Sequence, residues 1–170
     1  NVVGDIKLVQ ANFGFWAEFD AGSRVFAPEL GGGALLDVGV YPISFANMVF
    51  DEAPVEVAAL TTLGPSNVDE QTARILKYST GGLANLSCSI KTETSQEAFI
   101  FGDQGSIEIP PFFWSPTSVI LKKNESQERF DFPMWGNGYT YEIAHVCQCL
   151  KNGGRESEVM TFQKTLDTMR

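Results

Sequence analysis

Positive charge is scarce in this chain, and what there is lies scattered. Twelve Lys and Arg stand against 21 Asp and Glu, giving a formal net charge of −9 over 170 residues, with no basic cluster anywhere. That balance argues against nucleic acid or an anionic membrane surface as partner and favours a small or neutral ligand. Long apolar runs are lacking too: none approaches the roughly 20 residues of a spanning helix. The opening residues, Asn1-Val2-Val3-Gly4-Asp5, have neither the charged nor the apolar region of a signal peptide. No Met begins the chain, and a turn at Gly4-Asp5 leads straight into strand-like sequence, so the expectation is a piece trimmed at both ends from something longer. Histidine occurs once, as His145, and cysteine three times, as Cys88, Cys147 and Cys149. An odd number of cysteines placed inside apparent strand and helix interiors reads as reduced, buried thiols in a cytoplasmic protein. Cys147 and Cys149, two apart, point to different sides of a helix, so no metal site is expected.

What is present is enough for one domain with a real core: 44% of the residues are apolar and 12% aromatic. Residues 6–15 alternate as a strand, and 16–30 form a loop with Gly22, Pro28 and mixed charge. From Gly33 to Phe50 the spacing of Leu36, Val40, Ile43, Ala46 and Phe50 makes one helical apolar stripe, with Asp37, Tyr41 and Ser44 beside it. Asp51 and Pro54 end this helix. Runs rich in β-formers follow at 55–63, 69–79, 82–92, 95–101, 104–110, 117–123 and 127–132, a spacing that predicts an antiparallel meander. Within 82–90, Ala84, Leu86, Cys88 and Ile90 form a core face, and Asn85, Ser87 and Ser89 a small, polar one. Helical periodicity returns at 139–151 and 161–170. No repeat, low-complexity tract or interior linker interrupts residues 1–170.

Asp37 and Tyr41 carry the chemistry that the sequence offers. Four residues apart on a helix, they share a side and lie one turn apart. A phenol can take or give a proton, and a carboxylate can orient a substrate hydroxyl. The bland alternative is an acid complementing the helix dipole beside a core aromatic. Gly31, Gly32 and Gly33 let the backbone approach another body closely, and Gly39 with Pro42 weakens the helix around Tyr41, because proline leaves the Val38 carbonyl without its donor. A nearby carboxylate raises the proton affinity of a phenol, so a cation is required. Only Arg24 is close in sequence. Phe15, Trp16, Trp114 and Trp135, at strand ends or in loops, could wall a pocket for a flat apolar substrate, or serve as ordinary packing. Phe112 and Phe113 share that ambiguity, and His145 reads as structural.

The segments "PELGGGALLDVGVYPISFANMVF" (28–50), "GSIEIP" (105–110) and "YTYEIAHVCQCLKNG" (139–153) resemble the C-terminal domain of the glucose-fructose oxidoreductase and inositol dehydrogenase (Gfo/Idh/MocA) family. "PPFFWSPTSVIL" (110–121) resembles its dihydrodiol-oxidising branch in particular. The resemblance implies an α+β domain, a large open, mostly antiparallel sheet with helices packed on one face, standing on the substrate side of a Rossmann domain that is absent from this chain. It implies Asp37 and Tyr41 as the catalytic pair, Phe15, Trp16, Trp114 and Trp135 as substrate-binding, and Gly32 and Gly33 as points of approach to NADP or NAD. Many members have His where Tyr41 stands. The family's catalytic Lys lies in a Glu-Lys-Pro motif of the nucleotide domain; neither that motif nor any G-x-G-x-x-G occurs here. The domain alone is therefore expected to be inactive. The whole enzyme would pass a hydride between nicotinamide and a carbinol carbon of a diol or sugar-like substrate, as a homodimer joined through the sheet face bearing Asn85, Ser87 and Ser89. Two rival readings stay open: a sugar or cyclitol dehydrogenase, favoured by a more polar pocket, and a non-catalytic dimerisation or ligand-binding module, in which Asp37 and Tyr41 would not converge on one cleft.

Overall fold

A computed structural model describes residues 2–169; Asn1, and the last residue of the helix expected at 161–170, lie outside the described residues. Eight strands form one sheet: β1 (Ile6–Gly14), β2 (Glu56–Leu63), β3 (Asp69–Lys77), β4 (Leu83–Ser89), β5 (Ala98–Gly102), β6 (Gly105–Ile109), β7 (Ser118–Lys123) and β8 (Ser126–Asp131). Their spatial order is β2-β3-β4-β1-β5-β6-β7-β8. The sheet is open and mixed, and the meander expected from the sequence is cut in two. β1 inserts between β4 and β5, parallel to the first and antiparallel to the second. A central strand has its backbone groups paired along both edges, and its Val9 and Ala11 side chains are buried on the core face.

Turn chemistry fixes the hairpins. At the β7–β8 turn Asn124 and Glu125 both take left-handed φ, 50° and 63°, the two-residue geometry whose twist matches that of paired strands. The register then sends alternate residues to opposite faces. Val9, Ala11, Leu76, Ala84, Leu86 and Ala98 form one continuous core with Phe45 and Ala46 of the helix above them. Ala84, Leu86 and Ile90 are fully buried and Cys88 nearly so. At about 25 cal/mol per Å² of apolar area removed from water, each such leucine or isoleucine contributes roughly 1.5–3 kcal/mol. Asn85 remains exposed on the opposite face, but Ser89 does not. The chain turns back after β4, and the Ser89 hydroxyl accepts the Lys91 N–H at 3.0 Å, so the polar face is narrower than its alternation suggests.

Three helices complete the domain: α1 (Val40–Phe50), α2 (Tyr139–Lys151) and α3 (Phe162–Met169). α1 lies on the core face of β1 and β4 and also meets α3. The segment Pro28–Phe50, 23 residues of mean hydropathy 1.4, is long and apolar enough by composition to cross a bilayer. In place it is broken by glycines and laid against the sheet. The predicted thiol burial holds for Cys88 alone: Cys147 is exposed and Cys149 partly so, because α2 keeps most of its surface toward solvent in this chain. Leu36 also departs from the expected stripe. It is 50% exposed while Val38 is buried, since the first turn of the segment is not α-helical.

Candidate active site

The entry to α1 is a π-helical turn, Leu35–Gly39. Such a turn closes hydrogen bonds one residue further along than an α-helix, and it suits this sequence because Pro42 has no N–H to offer the Val38 carbonyl. The extra residue rotates the phase of everything before it. Val38 and Gly39 are turned to the sheet, and Leu36 is turned out. Asp37 stands in the middle of this turn and Tyr41 in the first turn of α1. Tyr41 is 41% exposed, and its hydroxyl has no protein partner among the described residues.

Gly39 is needed here by space. A methyl group added to it would stand 2.9 Å from the Arg74 guanidinium and 3.0 Å from the Cys88 sulfur. Arg74 and Cys88 project from β3 and β4 beneath the turn, with Nη2 to Sγ at 3.7 Å. Burial lowers the Arg74 pKa from its ordinary value, opposed by Cys88 and Asp69, and burial raises that of the Cys88 thiol. The turn is also pinned from β3. The Asp69 carboxylate accepts the Leu35 N–H at 2.8 Å and the Thr72 hydroxyl at 3.0 Å.

Aromatic rings form the wall beside Tyr41. Phe13, at the end of β1, stacks on Trp114 with centroids 3.8 Å apart and planes 4° apart. Tyr41 presents its ring edgewise to both, at 5.2 Å from Phe13 and 6.0 Å from Trp114. Phe112 lies perpendicular to Trp114 at 5.5 Å. Phe113 is core, 4% exposed against Phe45. The structure thus brings Tyr41 and Trp114 together with Phe13 and Phe112.

The other expected site residues have surroundings of their own. Phe15 packs with Phe26, Val38 and Ile90 in a second hydrophobic cluster. Trp16 pairs with Lys91, whose ammonium sits 5.8 Å from its ring centre. Trp135 is 68% exposed after β8, its backbone N–H donated to the Tyr141 hydroxyl. Gly32 and Gly33 are engaged inside the domain: their N–H groups are donated to the carbonyls of Ala27, at 3.0 Å, and Val25, at 2.9 Å. His145 accepts or shares a hydrogen bond with Ser157 at 2.8 Å, far along the chain on α2.

Two contributors escaped the sequence reading. Phe13 was hidden by its neighbour, although the inward parity of Val9 and Ala11 continues to it. Asp69 gave no local signal, since its partner is 34 residues away. Arg24, singled out only as the nearest cation, reaches Asp37 with Nη2 2.5 Å from Oδ1. Asp37's side chain is 15% exposed and that of Arg24 58%.

The family model of the GFO/IDH/MocA C-terminal domain matches residues 1–108. Trans-1,2-dihydrobenzene-1,2-diol dehydrogenase of Xenopus tropicalis is 41% identical over 169 residues, covering 94% of this chain and 50% of that protein. The human protein of the same name is 28% identical over 174 residues, covering 96% and 50%. The chain spans about half the length of the curated relatives it matches. Among solved structures, an aldose-aldose oxidoreductase from Caulobacter crescentus complexed with glycerol superposes with TM-score 0.86 at 20% identity, over 99% of this chain and 52% of that one. A 3-ketoreductase from Actinomadura kijaniata, in complex with NADP and TDP-benzene, does so with TM-score 0.82 at 24% identity, over 98% and 52%. The family-model match over residues 1–108 shows that this chain belongs to the GFO/IDH/MocA C-terminal domain family.

Proposed function

We propose that the chain is the substrate-side domain of an NAD(P)-dependent oxidoreductase acting on a trans-dihydrodiol or a sugar-like diol. The observation that carries this reading is the half-exposed phenol of Tyr41, flanked by the Phe13–Trp114 stack and four residues along the chain from Asp37. The names of the relatives support it. Tyr41 exchanges the proton of the reacting hydroxyl at its own Oη, and Asp37 orients the hydroxyls through Oδ2, the oxygen Arg24 leaves free. A flat ring fits against Trp114, which favours a dihydrodiol over a cyclitol.

Gly32 and Gly33 do not form a phosphate cradle. Gly32 and Gly33 have no free N–H to offer a phosphate, and a side chain at Gly32 would strike the carbonyls of Ala27 and Val25 at 2.8 Å. The nicotinamide cofactor therefore belongs to the other half of the protein, and this domain alone is inactive. Free thiols, with Cys147 exposed, suit a reducing cytoplasm.

Pairing into a homodimer uses the open face of the sheet. Register places Leu60, Ile75, Asn85, Ser87, Gln10 and Phe99 on that face, and Leu60 is 83% and Ile75 51% exposed. Ser87→Arg should convert a dimer to a monomer in sedimentation at micromolar concentration; a dimer that persists rejects this face. For the chemistry, Tyr41→Phe in the full-length enzyme should retain cofactor binding and lower turnover by about 10² to 10⁴, the usual contribution of a general acid-base group. Unchanged turnover rejects the role.

A further inference from the structure

Asp37 carries two equivalent carboxylate oxygens, and a substrate hydroxyl is given a fixed direction only when one of them is already engaged. The fold engages one of them with a single residue. Arg24 reaches over from the 16–30 loop and engages Oδ1 alone, leaving Oδ2 without a protein partner among the described residues.

The glycines explain how Arg24 arrives there. Residues 25–27 run alongside the glycine segment, joined to it by the hydrogen bonds from Gly33 to Val25 and from Gly32 to Ala27. Phe26, 1% exposed, anchors the same stretch in the second core cluster. The Ser23 carbonyl accepts the Phe26 N–H at 3.0 Å, closing a turn around Arg24. A guanidinium keeps its charge throughout the working pH range and offers several fixed donors, which a rotating ammonium does not. The stretch that bears Arg24 is therefore held against the glycine segment, and the glycines serve its close approach.

We infer that Arg24 is a positioning residue: it balances the charge of Asp37 and fixes which carboxylate oxygen faces the substrate. This rests on the substrate-side reading given above. The test is a double-mutant cycle in the full-length enzyme, with trans-dihydrobenzenediol as probe, following both kcat/KM and equilibrium binding of the diol by calorimetry. Arg24→Gln should lower kcat/KM and weaken diol binding about tenfold while the KM for the nicotinamide cofactor stays unchanged, and Arg24→Lys should recover part of the loss. In an Asp37→Asn background the same Arg24→Gln change should have less than about a twofold effect, because there is no charge left to balance. Losses that multiply independently in the double variant, or an Arg24→Gln enzyme that binds and oxidises the diol like wild type, overturn the role of Arg24 and leave the proposed function standing. A wild-type enzyme that neither binds nor turns over the diol overturns the proposed function, and the role of Arg24 with it.

Discussion

Two tyrosines sit at opposite ends of α1 and have opposite surroundings. Tyr41, at the N-terminal end, meets Phe13 and Trp114 edge-on and keeps its hydroxyl open to solvent. Tyr78, at the C-terminal end, is 0% exposed, stacks on Phe50 at 3.9 Å and donates its hydroxyl to the Asn47 side chain at 2.8 Å. Burial, with a smaller contribution from Glu52, pushes the Tyr78 phenol far above its ordinary value. A phenol so placed is a structural group whose proton stays put. The same side chain becomes a candidate proton carrier only where the fold leaves its oxygen free, so surroundings, and not residue type, decide the role.

Changes at each end sharpen the contrast. Phe50→Ala removes the ring beneath Tyr78 and should destabilise the protein by about 3 kcal/mol in denaturant unfolding, with turnover per folded enzyme kept. Gly39→Ala acts between the two ends: its methyl meets Arg74, Cys88 and Leu35 within about 3 Å, so the π-turn must shift. The expected result is a loss of about 1–3 kcal/mol in stability together with reduced turnover. The smallest effect belongs to Tyr78→Phe, about 1 kcal/mol at neutral pH from the lost hydrogen bond to Asn47.

That last variant also carries a pH signature. The folded protein holds the Tyr78 proton more tightly than the unfolded chain, whose phenol titrates near 10. Above that pH the unfolded state binds fewer protons than the native one, so stability falls as pH rises further. Wild type should lose more stability than Tyr78→Phe between about pH 9.5 and 11, measured by urea unfolding. Parallel losses in the two proteins would show that Tyr78 does not titrate differently in the two states.

Much of this contrast was legible in the chain. Gly39 and Pro42 pointed to an irregular helix start, which is a π-turn, and there Tyr41 is exposed while the Asp37 side chain is only 15% exposed. The alternation of Ala84, Leu86, Cys88 and Ile90 gave the core face of the sheet. What local pattern could not show was long-range pairing. β1 takes its place between β4 and β5 through hydrogen bonds to residues more than 70 positions away, and Asp69 pins Leu35 from a strand with no helical signal of its own. The π-turn hid the phase of Leu36, since a stripe counted at 3.6 residues per turn fails once a residue is inserted. Trp16 and Trp135 have the chemistry of a binding wall, but the tertiary fold sets them beside Lys91 and Tyr141.

The central claim is that Tyr41, and not its buried counterpart, moves the proton. Turnover of trans-dihydrobenzenediol by the full-length enzyme, compared between Tyr41→Phe and Tyr78→Phe under conditions where both are folded and cofactor-bound, tests it most directly. The account predicts a loss of about 10² or more for Tyr41→Phe and less than about twofold for Tyr78→Phe. Equal turnover in the two variants would contradict it.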